Sequence, residues 1–163
     1  MKKLNFISIA LVVLIALITL FIRIPLPSRG YFSLGDVAVI FSGLVLANTN
    51  KKTILLSFFV AAIGSAMADI IGGFAIFAPL TFFAKGLESM FANLSFNKSV
   101  FIKYIFLFLS ALSMVGVYFI FEVLMPNIGL QLAIQEIIPN VVQALGGLVG
   151  GILTFNAYKK IRS

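Results

Sequence analysis

The chain has 163 residues, of which 61% are hydrophobic and 10% charged, and it carries a net charge of +7. The apolar share is well above the roughly 45–50% of a globular domain, which excludes a soluble fold and leaves one polytopic membrane domain spanning residues 1–163. There is no cysteine and no histidine, so disulfides, thiol chemistry and the commonest general base and metal ligand are all missing.

Residues 6–22 form the first apolar run, preceded by Lys2 and Lys3. A lysine pair ahead of such a run also describes a signal peptide, but no small-residue cleavage site follows, so a retained spanning helix is expected. Pro25 and Pro27 stop it. A loop follows over residues 25–35, with Gly30 and Gly35 for turns and Tyr31 and Phe32 suited to an interface or a cover. Asp36 is placed as the N-cap of a second helix over residues 37–46.

A polar turn at residues 48–52 leads to a third helix over 53–71. Its small residues Ala61, Ala62, Gly64, Ser65, Ala66 and Ala68 would let another helix approach closely. Gly72-Gly73 breaks the chain. A fourth helix then runs over residues 78–94, with Pro79 in the first turn, where its missing N–H is not needed. On it Thr81, Lys85 and Glu88 fall at i, i+4 and i+7 and share one face. The fifth helix covers 100–124 and sets Tyr118 and Glu122 one turn apart. Residues 126–139, including Gln131, Gln135 and Glu136, are expected as a loop before a sixth helix over 139–158. That helix aligns Asn140, Gln143 and Gly147, and its Gly146/Gly150 and Gly147/Gly151 pairs suit helix packing.

The basic residues punctuate the ends of apolar runs rather than forming one patch, which argues against a nucleic-acid partner. Alternate loops carry Lys2, Lys3, Lys51, Lys52, Lys98, Lys103, Lys159, Lys160 and Arg162, nine in all, against Arg23 and Arg29 on the opposite side. Both termini are therefore expected in the cytoplasm. The fold class that follows is an all-α integral membrane protein, a six-transmembrane-helix bundle. The five acids, Asp36, Asp69, Glu88, Glu122 and Glu136, fall on the outer side or within the membrane. Asp69, Lys85 and Glu88 flank one short turn among apolar neighbours, where an unpaired charge is expensive, so they suggest a site. The plain alternative is a buried ion pair that fixes helix register.

No phosphate-binding GxxxxGK[ST] loop, HExxH or GxSxG is present, so neither P-loop ATP binding nor a recognisable hydrolase is encoded. What remains is an outward-facing cavity with aromatic walls and a few hydrogen-bonding groups, the usual form of a small-molecule site. Binding or transport is favoured over catalysis.

The ordered series Gly30-Tyr31-Phe32-Ser33-Leu34-Gly35-Asp36, Ala68-Asp69, Phe77-Ala78-Pro79 and Lys85-Gly86-Leu87-Glu88 resembles the substrate-binding S components of energy-coupling factor (ECF) vitamin transporters. It is most similar to their riboflavin-type branch, which includes proteins assigned to pyridoxine or hydroxymethylpyrimidine. The resemblance covers nearly the whole chain. It implies a multi-pass protein of the bacterial cell membrane that binds a vitamin. It also implies partnership with a membrane T component and two ATPase subunits, and a first loop that acts as a gate. The vitamin would be a transported substrate rather than a cofactor, and ATP would be used by the partner subunits. Two departures stand out. The first helix offers Ala10 and Ala16, six apart, in place of an AxxxA docking pair, and Phe77 stands where a tyrosine is expected.

The residues assigned to the vitamin are Tyr31, Phe32, Asp36, Asp69, Phe77, Thr81, Lys85, Glu88, Glu122, Asn140 and Gln143, with Tyr31 and Phe32 as a cover and Phe77 against its ring. A structural subunit of a cell-shape assembly is the alternative, though it would not need a polar outer pocket. An enzyme using paired carboxylates is a third class, without a motif to support it.

Overall fold

A computed structural model describes residues 2–25, 31–50, 52–126 and 128–162. Six helices make up the bundle: α1 (Lys2–Phe21), α2 (Gly35–Thr49), α3 (Ile54–Ile71), α4 (Ala78–Ser95), α5 (Val100–Leu124) and α6 (Gly129–Arg162). Between α1 and α2 lie two short antiparallel strands, β1 (Arg23–Pro25) and β2 (Tyr31–Ser33). Packing contacts close a ring in the order α1, α3, α4, α5, α6, α2, and α2 also touches α3 and α4.

Four helices, α1, α3, α5 and α6, are long and apolar enough to cross a membrane by themselves. The two that are not, α2 and α4, are the most enclosed. Helix α2 has 15 residues, about 22 Å at 1.5 Å per residue, short of a hydrocarbon core of roughly 30 Å. It is buried along most of its length. Helix α4 has 18 residues but carries Lys85 and Glu88, both inside the protein. Because neighbouring helices rather than lipid surround these two, they need neither full length nor full apolarity.

Glycines set how closely α2 is approached. A Cβ on Gly147 of α6 would stand 2.4 Å from the Asp36 Cβ, and one on Gly151 would stand 2.6 Å from the Ile40 Cβ. The α6 glycines therefore seat α6 on α2, as small residues do in lipid-embedded helix pairs. The apolar core gathers Leu11 and Ile15 of α1, most of α2 from Ala38 to Leu46, Val60 and Ala61 of α3, Ala92 of α4 and Phe155 of α6. It occupies the half of the bundle nearest the lysine-bearing turns.

Three expectations are corrected. The sixth helix starts at Gly129, not near Pro139, so Gln131, Gln135 and Glu136 are helical and Pro139 lies inside the helix. Proline removes a single backbone donor, and neighbouring groups commonly re-satisfy the freed carbonyl in membrane helices. Asp36 does not cap α2: Leu34 holds the cap position without a side-chain hydrogen bond, and Asp36 is drawn instead into a tertiary ion pair. The loop before α2 contains the β1–β2 ribbon. Within the expected gate of about 25–35, residues 26–30, with Arg29 and Gly30, lie outside the described residues, as do Lys51 and Asn127.

Candidate functional site

A two-stranded ribbon is marginal by itself. Here three side-chain ties hold it to the helices. Arg23 Nη2 donates to the Gly72 carbonyl at 3.1 Å, and its guanidinium lies 5.0 Å from the Phe74 ring centre and 5.7 Å from that of Tyr31. The Tyr31 hydroxyl donates to Asp69 Oδ1, and the Tyr31 ring meets Phe74 edge-on at 4.8 Å. The Ser33 amide donates to Gln143 Oε1 at 2.7 Å. Burial first, and the nearby Asp69 second, push the Tyr31 phenol far above the ordinary tyrosine range, so it remains a donor. Gly72 is what admits Arg23, since a Cβ there would stand 1.9 Å from Nη1. Gly73 makes the adjoining turn at φ +85°, a conformation open to glycine without penalty.

Behind the ribbon, α2, α4 and α6 converge on one charge network. Lys85 Nζ is 2.5 Å from Asp36 Oδ1 and 3.4 Å from Glu88 Oε2. The Ser33 donor fixes Gln143 Oε1 as the acceptor, so Nε2 faces Asp36 and donates to both carboxylate oxygens at 3.3 Å. Tyr118 of α5 shares a hydrogen bond with Thr81 at 2.9 Å, and its ring centre lies 5.4 Å from the Lys85 ammonium. Thr81 also neighbours the Asp69 carboxylate. Lys85 therefore takes Asp36, 49 residues away, as its main partner. Asp69 belongs to Tyr31, so the three charges around the Gly-Gly break are divided between two clusters.

These groups surround a cavity with about 30 Å³ of space. Of the sequence-assigned residues, Tyr31, Asp36, Phe77, Thr81, Lys85, Glu122, Asn140 and Gln143 line it. Phe32, Asp69 and Glu88 are not on its wall. Alternation along β2 turns Tyr31 and Ser33 to the cavity and Phe32 to the other face. Asp69 sits behind Tyr31 and Glu88 behind Lys85, both fully buried.

Sequence reasoning missed Thr19, Ser33, Ser65, Tyr118 and Glu136 as lining residues. Tyr118 was legible, one turn from Glu122 on the same face; Thr19 and Ser65 gave no sign beyond being polar in apolar helices. Among the described residues, three buried polar atoms on the lining have no hydrogen-bond partner: Thr19 Oγ1, Ser65 Oγ and Glu122 Oε2. Asn140, half-buried, makes no side-chain hydrogen bond among the described residues. Buried polar atoms are normally satisfied, and leaving one unpaired costs about 1–3 kcal/mol. No group of three or more His, Cys, Asp or Glu suited to a metal occurs among the described residues.

The family model for the ECF-type riboflavin transporter S component matches residues 1–160. The chain belongs to this family. S components are substrate-binding proteins of transport, not enzymes, and the apolar helices agree with a membrane protein. No curated protein matches the chain. In this S component the first-helix alanines have unlike settings, Ala10 exposed and Ala16 half-buried.

Proposed function

We propose that this S component captures a small aromatic vitamin or precursor, of the pyridoxine, hydroxymethylpyrimidine or riboflavin class, for ATP-driven uptake. It does so from outside the bacterial cell membrane, together with a T component and two ATPase subunits. The observation that carries the reading is the set of unpartnered polar atoms on Thr19, Ser65 and Glu122, with Asn140 beside them, around one cavity. Phe77 and Tyr118 give that cavity aromatic walls. A planar heterocycle with edge donors and acceptors meets both needs at once. The nine-to-two distribution of basic residues supports cytoplasmic termini and a cavity that opens outward.

Mass spectrometry of small molecules released from gently purified protein tests the substrate class. A heteroaromatic compound of the named classes is expected. Release of none, together with no calorimetric binding of pyridoxine, hydroxymethylpyrimidine or riboflavin, would remove the vitamin reading. Cysteines placed at Lys52 and Pro126 test the orientation: labelling of both from the same side would refute it. Accumulation of substrate by vesicles containing only this chain and ATP would refute the need for ATPase partners.

A further inference from the structure

The end of the bundle away from the cavity holds a second built feature. The α4–α5 turn and the last turns of α6 enclose a depression with about 230 Å³ of space. Lys98, Lys103 and Lys159 rim it, and Leu44, Leu107 and Phe155 form its floor. Asn97 takes a left-handed backbone at φ 56°, which asparagine accepts more readily than most residues, and Lys98 follows it at the rim.

None of the three ammonium groups has an ion-pair partner among the described residues. The chain's five acids do not line this depression: Asp36, Glu122 and Glu136 line the opposite cavity, and Asp69 and Glu88 lie behind it. Three like charges thus share one concave site with no acid among the described residues lining it to offset them.

Between α5 and α6 runs a groove with about 180 Å³ of space, lined only by apolar side chains such as Phe108, Leu112, Val141 and Leu145. Several of these are exposed. Along α6, Leu145, Leu148, Ile152, Phe155 and Lys159 succeed one another at three- and four-residue steps, so groove and depression share one helix face. From Leu148 to Lys159 the helix rises about 16 Å, a distance a phospholipid covers from its phosphate into its acyl chain.

We propose that this seam binds one anionic phospholipid, with its phosphate among Lys98, Lys103 and Lys159 and an acyl chain in the α5–α6 groove. A soluble anion would use the lysines but not the groove, and an acidic protein segment would not enter hydrocarbon. Basic pockets between helices at a membrane face hold lipid headgroups by this combination of charge and apolar contact.

Native mass spectrometry of the full chain tests the site, using detergent loaded with equal dioleoylphosphatidylglycerol and dioleoylphosphatidylcholine. The phosphatidylglycerol adduct is expected at one per chain, preferred by about tenfold or more. K98Q/K103Q/K159Q should lose the preference. K2Q/K3Q/K52Q, which removes as much charge at the same end, should keep it. If the first triple variant does not fold, Lys159→Gln alone should reduce the preference about fivefold. Equal losses in both triple variants would show general attraction and overturn the proposal. Displacement by millimolar inorganic phosphate or glycerol phosphate would assign the lysines to a free anion instead. An acidic peptide outcompeting phosphatidylglycerol would assign them to a protein partner. Either result overturns the lipid site.

Discussion

The two halves of the bundle are held together by different forces. Toward the lysine-bearing turns, α1, α2, α3, α4 and α6 meet mainly through aliphatic side chains and Phe155, with neutral hydrogen bonds from Asn93 to Gly43 and Thr53 and between Ser42 and Ser89. Toward the cavity, α2, α4, α5 and α6 meet through Asp36, Lys85, Glu88, Gln143, Tyr118 and Thr81. An aliphatic contact tolerates small losses, because dispersion is spread over many atoms. A buried ionic network does not, because removing one member leaves the others charged and unpaired. A binding protein can use that rigidity, since a network that fixes its own donors also fixes what they face.

The largest effect should come from breaking the ionic half. Lys85→Met leaves Asp36 and Glu88 without their cation and should destabilise the protein by about 3–5 kcal/mol, read as a fall in Tm in detergent. Asp36→Asn added to Lys85→Met should recover part of the loss, because the two residues are directly coupled. Additive losses in the double variant would show that the pair does not work as a unit. Glu88→Gln sharpens the same point. It lies behind Lys85, off the cavity wall, so it should lower Tm while changing ligand affinity little.

Next in size is the ribbon. Tyr31→Phe removes the hydrogen bond to the Asp69 carboxylate, a charge-assisted contact worth about 1.5–3 kcal/mol. Hydrogen exchange should show β1 and β2 losing protection ahead of the helices. Unchanged protection would mean that Arg23 and Gln143 hold the ribbon without Tyr31.

Asn140→Ala isolates binding from folding. The side chain has no hydrogen-bond partner to lose among the described residues, so Tm should hold while ligand affinity falls roughly tenfold, by about 1.4 kcal/mol per decade. Calorimetry with whichever compound is released from the protein measures it. Affinity unchanged in this variant would take Asn140 out of the site. The smallest effect is expected at the basic half, where Lys103→Gln should leave Tm and ligand affinity where they were, since surface substitutions rarely disturb a fold.

Much of the fold is visible in the chain alone, because lipid imposes strict local rules. Apolar run length, proline and glycine breaks, and lysine placement specify helices, their ends and their sides without reference to any neighbour. The 25 residues of α5 are found at the expected bounds for that reason. Likewise, the face shared by Thr81 and Lys85 follows from helical spacing, and both residues line the cavity. The start of α6 was hidden because Pro139 reads as a boundary when only the local chain is considered.

Pairing lay beyond the sequence. Asp36 resembles a helix cap, and Lys85 has a nearer acid in Glu88, yet the glycines of α6 bring Gln143 to Asp36 and the α2–α4 contact brings Asp36 to Lys85. Asp69 goes to Tyr31 because the ribbon folds back over α3, which no residue spacing announces. The amino-acid order by itself determined that six apolar segments form a helical membrane bundle with its charges kept from lipid. Only the tertiary structure decided which charge meets which, because partners 49 and 107 residues apart are selected by helix packing rather than by local pattern.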